Sequence, residues 1–574
     1  MAKGPRTQLK FWISVGLLLA LLTGFEIWSA TKESQVWDEG FELGSGYAYL
    51  KTGRLRFNLE QPPLAKLLAA LPLLYLNPRL PVEDPSWINK EDIGFGFAFM
   101  YHNRVSTDTM LMAARSSIIL LTAALGFLMA VWTRCRFGVG PALLALALLA
   151  FDPNILAHGH YATTDLGATF FIFAACIAWD AFLSSRRKLH LALSGILLGF
   201  AVGTKFSAVM LLPAFAILYA IRWWQQNERF TLLHFAGSLL AVAAIAYVAI
   251  VAVYLPEAKS FVPSWAVKRP GPPLETAVNC TNTIGDLLCQ TGRVVSLQAN
   301  SFYRGLSNFA QHNAGGHLSY LLGQFSQYGW WYYFPVVFLV KTPTADLLLF
   351  GVLLVGAGLA LFRNKFRINV QQVPIAWATI LVPPLLYFGL SMASRIDLGV
   401  RHLLPFYPFF FIALAAGFFE LVKSRPPWTG PLLILVCVLL AAESLSAFPD
   451  YLSFFNLVSG GTWRGPNYLL DSNIDWGEDL KKLRGYINAH PAPQYCLEYF
   501  GTAVPDYYGI EHTGYVARTN QPGERQNMDC MVAISATVLY DLYEAPGSFT
   551  WLRARKPVGR VGGIWIFDVR KPHD

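Results

Sequence analysis

Two carboxylates, Asp38 and Glu39, stand side by side a few residues beyond the first long apolar run of the chain. Ionisable side chains at the edge of a membrane are costly, so each is a candidate functional group. The outer ends of the apolar segments hold Asp38, Glu39, Glu60, Arg104, Arg115, Asp165, Lys205, Lys341, Arg395, Asp397, Arg401 and His402. Acids and bases that converge on one face suit a transfer reaction with an anionic leaving group. A carboxylate can accept the nucleophile's proton, and cations can stabilise a developing phosphate charge.

These groups belong to a chain of 574 residues that is 54% hydrophobic and only 14% charged, whereas a soluble domain carries roughly a quarter charged residues. We therefore predict a polytopic α-helical membrane protein with about eleven transmembrane helices. The predicted spans are 11–30, 110–132, 141–157, 164–183, 190–203, 206–221, 232–254, 345–362, 374–391, 403–421 and 430–447.

The short segments on one side of these spans carry fifteen basic residues against one acid, Glu228. Such an excess of Lys and Arg marks the cytoplasmic side. The net charge of +9 is therefore a topology signal, and no nucleic-acid partner is expected. This reading requires a break at Gly203-Thr204-Lys205, because one long helix over 190–221 would put the basic stretch Arg222–Arg229 outside. The N-terminus is then cytoplasmic and the C-terminus extracytoplasmic.

Three long polar stretches fall on the outer side, at about 31–109, at about 256–344 and from about 450 onwards. Connections of this length are usually functional. We predict a catalytic transmembrane module over residues 1–449, with interfacial helices in its two outer loops. A small extracytoplasmic α/β domain over 450–574 is indicated by helical spacing in WGEDLKKLRGYI and by the strand-like stretches QYCLEYFG, DCMVAISA and VGGIWIFDV.

Seven cysteines are too few for a disulfide scaffold. Cys280 and Cys289 share the second outer loop, and Cys496 and Cys530 share the tail. An oxidising compartment would permit a disulfide at each place, and the sequence alone leaves both open.

Six motifs in order, from about residue 30 to 485, resemble the GT-C superfamily of membrane glycosyltransferases. The similarity is to the bacterial branch related to protein O-mannosyltransferases and to the aminoarabinose transferase of lipid A. The motifs are WDEGFELGSGYAYLKTGRL…EQPPLAK, HGHYATTDLGATFF, GTKFSAVMLLP, WWYYFPVVFLVKTP, LGVRHLLPFYPF and DSNIDWGEDL. The resemblance implies a polyprenyl-phosphate-linked sugar donor and inverting transfer at the outer face of the bacterial inner membrane. The acceptor could be a protein, a lipid or a glycan.

The resemblance also implies roles for the acids. Asp38 matches the family's catalytic position and is the expected general base, with Glu39 as a supporting or alternative base. Asp165 matches a second acidic position, where it would orient the acceptor or pair with a cation. The plain alternatives are a solvated acidic pair for Asp38 and Glu39 and a helix N-cap for Asp165.

Four cations are candidates for the donor phosphate. Arg115 stands where the mannosyltransferases hold this phosphate, and its planar fork suits bidentate contact. Lys205 lies beside a Gly turn, where it is suited to bind a phosphate or a carboxylate. Arg401 and His402 are suited to stabilise the leaving phosphate. The alternative for each is an anchor at the membrane interface.

We predict no cofactor and no metal ligand, although a zinc or magnesium site made of His158, His160 and Asp165 is an alternative with weak spacing support. The stretch Glu60-Gln61-Pro62-Pro63 lacks the basic or His residue often found before the Pro pair in relatives. We therefore expect it to position an interfacial helix. We expect Asp471 and Asp475 to fix the tail against the core, with acceptor binding as the alternative.

Two other functions compete with sugar transfer. A transporter or flippase for a lipid-linked substrate would have paired repeat halves and charges near the bilayer midplane, and this chain shows neither. A non-catalytic scaffold would need no convergent set of charges. We therefore predict an enzyme of the glycosyltransferase class.

Overall fold

The computed structural model describes residues 5–226, 232–255, 301–363, 373–424, 427–511, 514, 516–519 and 528–570. The Cys280–Cys289 pair, whose disulfide the sequence leaves open, lies outside these ranges with the rest of residues 256–300 of the second outer loop.

The described chain is mainly helical. Its helices are α1 (Pro5–Lys32), α2 (Glu39–Thr52), α3 (Leu64–Ala70), α4 (Leu73–Leu76), α5 (Pro85–Asn89), α6 (Asp92–Tyr101), α7 (Thr107–Phe137), α8 (Val139–Phe151), α9 (Pro153–His158), α10 (Thr164–Ser185), α11 (Lys188–Val202), α12 (Leu211–Gln226), α13 (Leu232–Val253), α14 (301–315), α15 (Tyr333–Lys341), α16 (Thr344–Arg363), α17 (Ile375–Ser391), α18 (Tyr407–Leu421), α19 (Thr429–Ala447) and α20 (Leu480–Ala489). The 3-10 turns Phe206–Met210 and Val400–Phe406 precede α12 and α18.

Eight helical segments of the described chain are long and apolar enough to cross a membrane, namely those containing α1, α7, α10, α12, α13, α16, α18 and α19. The shorter apolar helices α8, α11 and α17 lie at the other three predicted positions. The prediction of a polytopic α-helical membrane protein is confirmed. Helix α8 is short because Gly138 (φ 100°) precedes it and Pro153 follows it. Asp152 ends α8 and caps α9, since its Oδ1 accepts the Ile155 N–H at 2.9 Å.

The bundle is organised around α10, which packs against α7, α11, α12 and α17. Near its C-terminal end Asp180 is buried and accepts a hydrogen bond from Trp132 Nε1 at 3.1 Å. Arg136, at the end of α7, forms an ion pair with Asp180. Asp165 lies at the opposite end of α10. The predicted basic side and the predicted site thus occupy opposite ends of one helix.

The first outer loop is largely helical, which the sequence predicts only for its interfacial segment. The predicted interfacial helix is present as α3 and α4, and the second one as α15. Helix α2 was not predicted, because its sequence EGFELGSGYAYL has no clear apolar face. It packs against α6 through small residues: a Cβ added at Gly96 would lie 2.7 Å from the backbone nitrogen of Phe41.

The tail contains a four-stranded sheet, and a separate hairpin precedes α15. The strands are β1 (Ser319–Leu321), β2 (Gln324–Ser326), β3 (Tyr495–Glu498), β4 (Met531–Ser535), β5 (Gly559–Val561) and β6 (Ile564–Asp568). The tail sheet has the order β3-β4-β6-β5, with β3 and β4 parallel and the other pairs antiparallel. Short helical turns at Ala536–Leu539 and Thr550–Arg553 complete the region. All three predicted tail strands are present, and the small α/β region is confirmed.

A disulfide joins Cys496 on β3 to Cys530, one residue before β4. The pair closes a loop of 34 residues in sequence. We expect the double variant Cys496→Ser/Cys530→Ser to lower the free energy of unfolding of the tail by about 2–4 kcal/mol, because the cross-link restricts the unfolded chain. Thermal unfolding and limited proteolysis of the purified protein would measure the loss. Cys135→Ser removes a free, exposed thiol as a control, and equal effects of the two variants would contradict the expectation.

Candidate active site at the non-basic end of the bundle

The segment that carries Asp38 runs beside a segment of the tail. The Ser34 N–H donates to the Glu478 carbonyl at 2.8 Å, and the Trp37 N–H donates to the Trp476 carbonyl at 2.8 Å. These bonds join the end of α1 to a stretch more than 400 residues away in the sequence. The tail therefore fixes the backbone from which Asp38 projects.

Asp38 occupies the N-cap position of α2 but makes no side-chain capping bond. Its Oδ2 instead accepts a hydrogen bond from Arg401 Nη1 at 2.8 Å. The side chain of Asp38 is 21% exposed, whereas the neighbouring Glu39 is fully buried. Asp38 is thus the member of the pair that another molecule can reach.

Glu39 is held by Arg115. Arg115 Nε donates to Glu39 Oε1 at 2.8 Å and its Nη2 donates to Oε2 at 2.7 Å. The remaining Arg115 N–H groups donate to the carbonyl oxygens of Ala30, Glu33 and Ser34. All five N–H groups of a guanidinium are then engaged, and Arg115 is completely buried. These surroundings favour a positioning role for Arg115 over the predicted contact with the donor phosphate.

The carboxylate of Glu39 also accepts two backbone hydrogen bonds. The Val36 N–H donates to Oε2 and the Ala162 N–H to Oε1, each at 3.0 Å. A carboxylate with four donors, buried on every side, has little capacity left to act as a base. The geometry gives Glu39 a supporting position.

Asp165 lies in the first turn of α10 and forms two cationic contacts. Lys205 Nζ donates to its Oδ1 at 2.6 Å, and Arg401 Nη1 lies 3.8 Å from its Oδ2. The N-cap of α10 is Thr163, so Asp165 does not cap this helix. Arg401 therefore joins Asp38 to Asp165, and Asp165 joins Arg401 to Lys205. His402 adjoins the group and interacts electrostatically with it.

The position of Arg401 is set by the turn before it. Gly399 has φ 125°, and a Cβ there would meet the Asn473 side chain at 2.7 Å. The Val400 N–H donates to Asn473 Oδ1 at 3.0 Å, which starts the Val400–Phe406 turn. The guanidinium carbon of Arg401 then lies 4.3 Å from the ring centroid of Trp476. Trp476 lies within the DSNIDWGEDL motif, and the sequence analysis did not identify it as a site residue.

Burial raises the pKa of Asp38 above its ordinary value. The charge of Arg401 opposes this shift, and the nearby charges of Asp165 and Asp471 add to it. An Asp with a raised pKa is a better match to a general base near neutral pH than an ordinary surface Asp.

His158 and His160 lie beside this group in different environments. His160 contacts the Glu33 carboxylate at 2.8 Å and the Leu156 carbonyl at 3.0 Å. Both ring nitrogens of His158 are buried without a hydrogen-bond partner among the described residues. Burial lowers the pKa of His158 to about 3. No three His, Cys, Asp or Glu side chains of the described chain are arranged to hold a metal ion, so the alternative set of His158, His160 and Asp165 is not assembled.

The other predicted positions lie around this group. Pro63 is the N-cap of α3, as expected for a stretch that positions an interfacial helix. Asp475 accepts the Thr537 N–H at 2.9 Å, and Asp471 accepts the Tyr543 hydroxyl at 2.7 Å. Both acids thus bind other residues of the tail to which they belong, and these bonds do not link the tail to the core.

Residues 17–262 of the chain match the family model of the dolichyl-phosphate-mannose-protein mannosyltransferases. These residues make up less than half of the chain, and over them the chain is similar to that family. The resemblance seen in the motifs is confirmed, and so is the prediction of an enzyme. No curated protein matches the chain by sequence.

Three solved structures are distantly similar to this chain. ArnT from Cupriavidus metallidurans bound to undecaprenyl phosphate is 13% identical, with 97% of this chain and 99% of that chain covered and a TM-score of 0.46. The Archaeoglobus fulgidus oligosaccharyltransferase in the apo form is 12% identical over 96% of this chain and 74% of that chain, with a TM-score of 0.43. The S. cerevisiae Pmt1-Pmt2 complex bound to the sugar donor is 18% identical over 44% and 34%, with a TM-score of 0.34.

The surroundings of Arg115 generate a stability prediction. We expect Arg115→Met to lower the free energy of unfolding by about 3–5 kcal/mol, because it leaves the buried Glu39 carboxylate without its partner. The double variant Arg115→Met/Glu39→Gln should lose less than the sum of the two single variants. Melting of the purified protein in detergent measures all three. An Arg115→Met protein of wild-type stability with weakened donor binding would instead support the phosphate contact.

Proposed function

We propose that this glycosyltransferase moves a sugar from a polyprenyl-phosphate donor to an acceptor hydroxyl, with inversion at the anomeric carbon. The observation that supports the proposal most directly is the partly exposed Asp38 carboxylate, held by Arg401 2.8 Å away. A base and a phosphate-binding cation are then adjacent, as a reaction with a phosphate leaving group requires.

In the proposed reaction Asp38 accepts the proton of the acceptor hydroxyl as its oxygen attacks the anomeric carbon. The bond between that carbon and the phosphate oxygen breaks, and the polyprenyl phosphate leaves with an additional negative charge. Arg401, Lys205 and His402 stabilise that charge. Asp165 holds Lys205 and Arg401 in place from the opposite side, and the buried Glu39 and Arg115 hold the backbone of Asp38.

Arg401 is better suited than Arg115 to bind phosphate. One N–H of Arg401 is engaged by Asp38, and its Nε–H has no hydrogen-bond partner among the described residues. This Nε–H is buried, and an N–H left without a partner inside a protein is costly, so an oxygen of a bound phosphate would satisfy it. The Trp476 ring lies against the guanidinium, 4.3 Å from its carbon to the ring centroid. We therefore assign the principal phosphate contact to Arg401, with Lys205 beside it.

We propose that the site faces the outer side of a bacterial inner membrane. The basis is the excess of Lys and Arg in the short segments at the opposite ends of the helices. The Asp180–Arg136 pair lies at that opposite end. The partners would be a polyprenyl-phosphate sugar, membrane lipids, and a protein, lipid or glycan acceptor. Residues 1–449 would form the catalytic module and 450–574 the extracytoplasmic domain.

The purified full-length protein, incubated in lipid nanodiscs with a panel of polyprenyl-phosphate sugars and a mixture of envelope lipids, glycans and proteins, tests the proposal. Mass spectrometry would detect the sugar on an acceptor and the released polyprenyl phosphate. No product from any donor of this class would contradict the proposed function.

We expect Asp38→Asn to lower the transfer rate by ~10²–10⁴-fold, the usual contribution of a general base. The amide cannot accept the proton, while Arg401 remains available to bind the donor. Transfer kinetics and donor binding would be measured on the same preparation. Glu83→Gln is a matched control, since Glu83 is an exposed acid of the same outer loop. Wild-type transfer by Asp38→Asn would rule out the assignment of the base.

We expect the pH dependence of transfer to respond to Arg401. Because the pKa of Asp38 is raised, its base form is lost as the pH falls through a value above that of an ordinary Asp. Arg401→Gln removes the cation that opposes this shift, so the acid limb of the rate profile should move to higher pH. Arg401→Lys keeps the charge and should leave the limb near its wild-type position. Both variants should bind the donor more weakly, because both lose the planar fork. Identical acid limbs in the Gln variant and the wild type would contradict the coupling.

A further inference from the structure

A third carboxyl group, that of Glu42, lies on the same face of α2 as Asp38. The backbone of Asp38 is already helical, and the Glu42 N–H donates to the Asp38 carbonyl at 3.1 Å. The two residues are thus one helical turn apart, and side chains at this spacing are neighbours, with about 5–6 Å between their Cβ atoms. Glu42 stands within the motif WDEGFELGSGYAYLKTGRL but was not among the predicted site residues.

The glycines of α2 show in which direction Glu42 projects. Gly46, one turn further along, lies against α3, since a Cβ there would be 2.3 Å from the Lys66 carbonyl oxygen. Gly44 lies on the other side of α2, where a Cβ would be 2.9 Å from the Phe95 ring of α6. Glu42 shares the face of Gly46 and therefore projects towards α3 and away from α6.

Helix α3 is in turn fastened to the elements that carry the cations and acids of the site. The Leu64 N–H donates to the Gly203 carbonyl at 2.9 Å, two residues before Lys205. The first turns of α10 contact α3 as well, because a Cβ added at Gly167 would lie 3.4 Å from the Ala65 Cβ. The face of α2 that carries the proposed base, the start of α3 and the start of α10 therefore lie together around the candidate site.

Glu42 is buried there without a partner for one of its oxygens. The residue is 3% exposed, and its Oε2 has no hydrogen-bond partner among the described residues. Asp38, Glu39 and Asp165 differ from it, because each accepts a hydrogen bond from a cation. A buried carboxyl oxygen without a partner costs free energy. A bound molecule that donates a hydrogen bond to Glu42 would recover that cost.

The charges around Glu42 favour a hydroxyl group over an ammonium as the donor of this bond. Burial raises the pKa of Glu42 well above its ordinary value, and the charge of Asp38 adds to the shift while that of Lys66 opposes it. The raised pKa disfavours the charged carboxylate that would attract an ammonium. Lys66, whose Nζ donates to the carbonyls of Asn58 and Gln61 at 2.6 and 2.8 Å, would also repel a second cation. A hydroxyl group can bind either form of the carboxyl group.

We propose that Glu42 binds a hydroxyl group of the transferred sugar and thereby selects the sugar of the donor. The inference rests on the proposed sugar transfer. In that reaction the anomeric carbon lies between Asp38, which receives the acceptor's proton, and Arg401, which binds the phosphate. The hydroxyl groups of the sugar ring then extend beside Asp38. The side chain of Asp38 is 21% exposed, so the acceptor takes the open end of the site and the sugar meets the enclosed Glu42.

The test uses the donor that gives most product in the nanodisc assay and its monodeoxy analogues, each of which lacks one hydroxyl group of the sugar. We expect Glu42→Ala to lower kcat/KM for the intact donor about 10- to 100-fold, as for the loss of a hydrogen bond to an ionisable group. The wild type should discriminate against one analogue by a similar factor, and Glu42→Ala should no longer do so. Glu83→Ala, at an exposed acid of the same outer loop, is the matched control and should keep the wild-type pattern.

Glu42→Gln separates a hydroxyl partner from an ammonium partner. Its side-chain carbonyl still accepts a hydrogen bond, so this variant should retain most of the wild-type kcat/KM and still discriminate against the same analogue. A Gln variant as weak as the Ala variant would overturn the hydroxyl assignment. The Gln change also keeps the size of the side chain, and its pattern across the analogues provides the test if Glu42→Ala melts at a lower temperature.

Equal discrimination against every analogue by Glu42→Ala and by the wild type would overturn the inference, since Glu42 would then serve only the fold. So would a wild type that is indifferent to the loss of each hydroxyl group. The proposed function fails separately, by the absence of turnover of any donor by the wild type or by full activity of Asp38→Asn in the same assay.

Discussion

The buried pair of Glu39 and Arg115 is the interaction on which the arrangement of the site depends. A buried charge needs an opposite charge beside it and further hydrogen bonds. Glu39 and Arg115 neutralise each other, and the backbone at the C-terminal end of α1 supplies further hydrogen bonds to Arg115. Arg115 ties the carbonyls of Ala30, Glu33 and Ser34 to α7. That segment in turn pairs with the tail. Contacts within the protein therefore fix the backbone on either side of Asp38 without a bound substrate.

Two adjacent acids consequently have opposite environments. Glu39 points inward, with every lone pair used, whereas Asp38 points to a partly exposed region beside Arg401. Two neighbouring carboxylates often take different roles when their surroundings differ in this way. Arg401 and Arg115 are divided similarly. Arg115 is enclosed by protein acceptors, while Arg401 lies against Trp476 and has a buried Nε–H without a hydrogen-bond partner among the described residues.

Much of this organisation could be predicted from the sequence. The spans followed from length and hydropathy, and the convergence of Asp38, Asp165 and Arg401 followed from the ends of the spans on which they lie. The role of Arg115 could not be predicted from the sequence, because an Arg at this position is equally suited to bind a phosphate and to bind a buried carboxylate. Only the fold shows that Glu39 and three carbonyl oxygens together accept all of its N–H groups. Helix α2 was missed because close backbone packing, not apolar periodicity, holds it against α6.

The contacts that the outer loops make with each other and with the tail were hidden for a different reason. His312 and Glu60 are 252 residues apart in sequence, and His317 and Tyr543 are 226 apart, so no local pattern joins them. They meet only when the tail is docked on both outer loops. The same docking supplies Trp476 beneath Arg401 and the backbone partners of the segment before Asp38. A tail that provides a stacking surface and a backbone brace contributes to the candidate site. Residues 471–479 therefore supply part of the candidate site, even though the strands that follow form a sheet of their own.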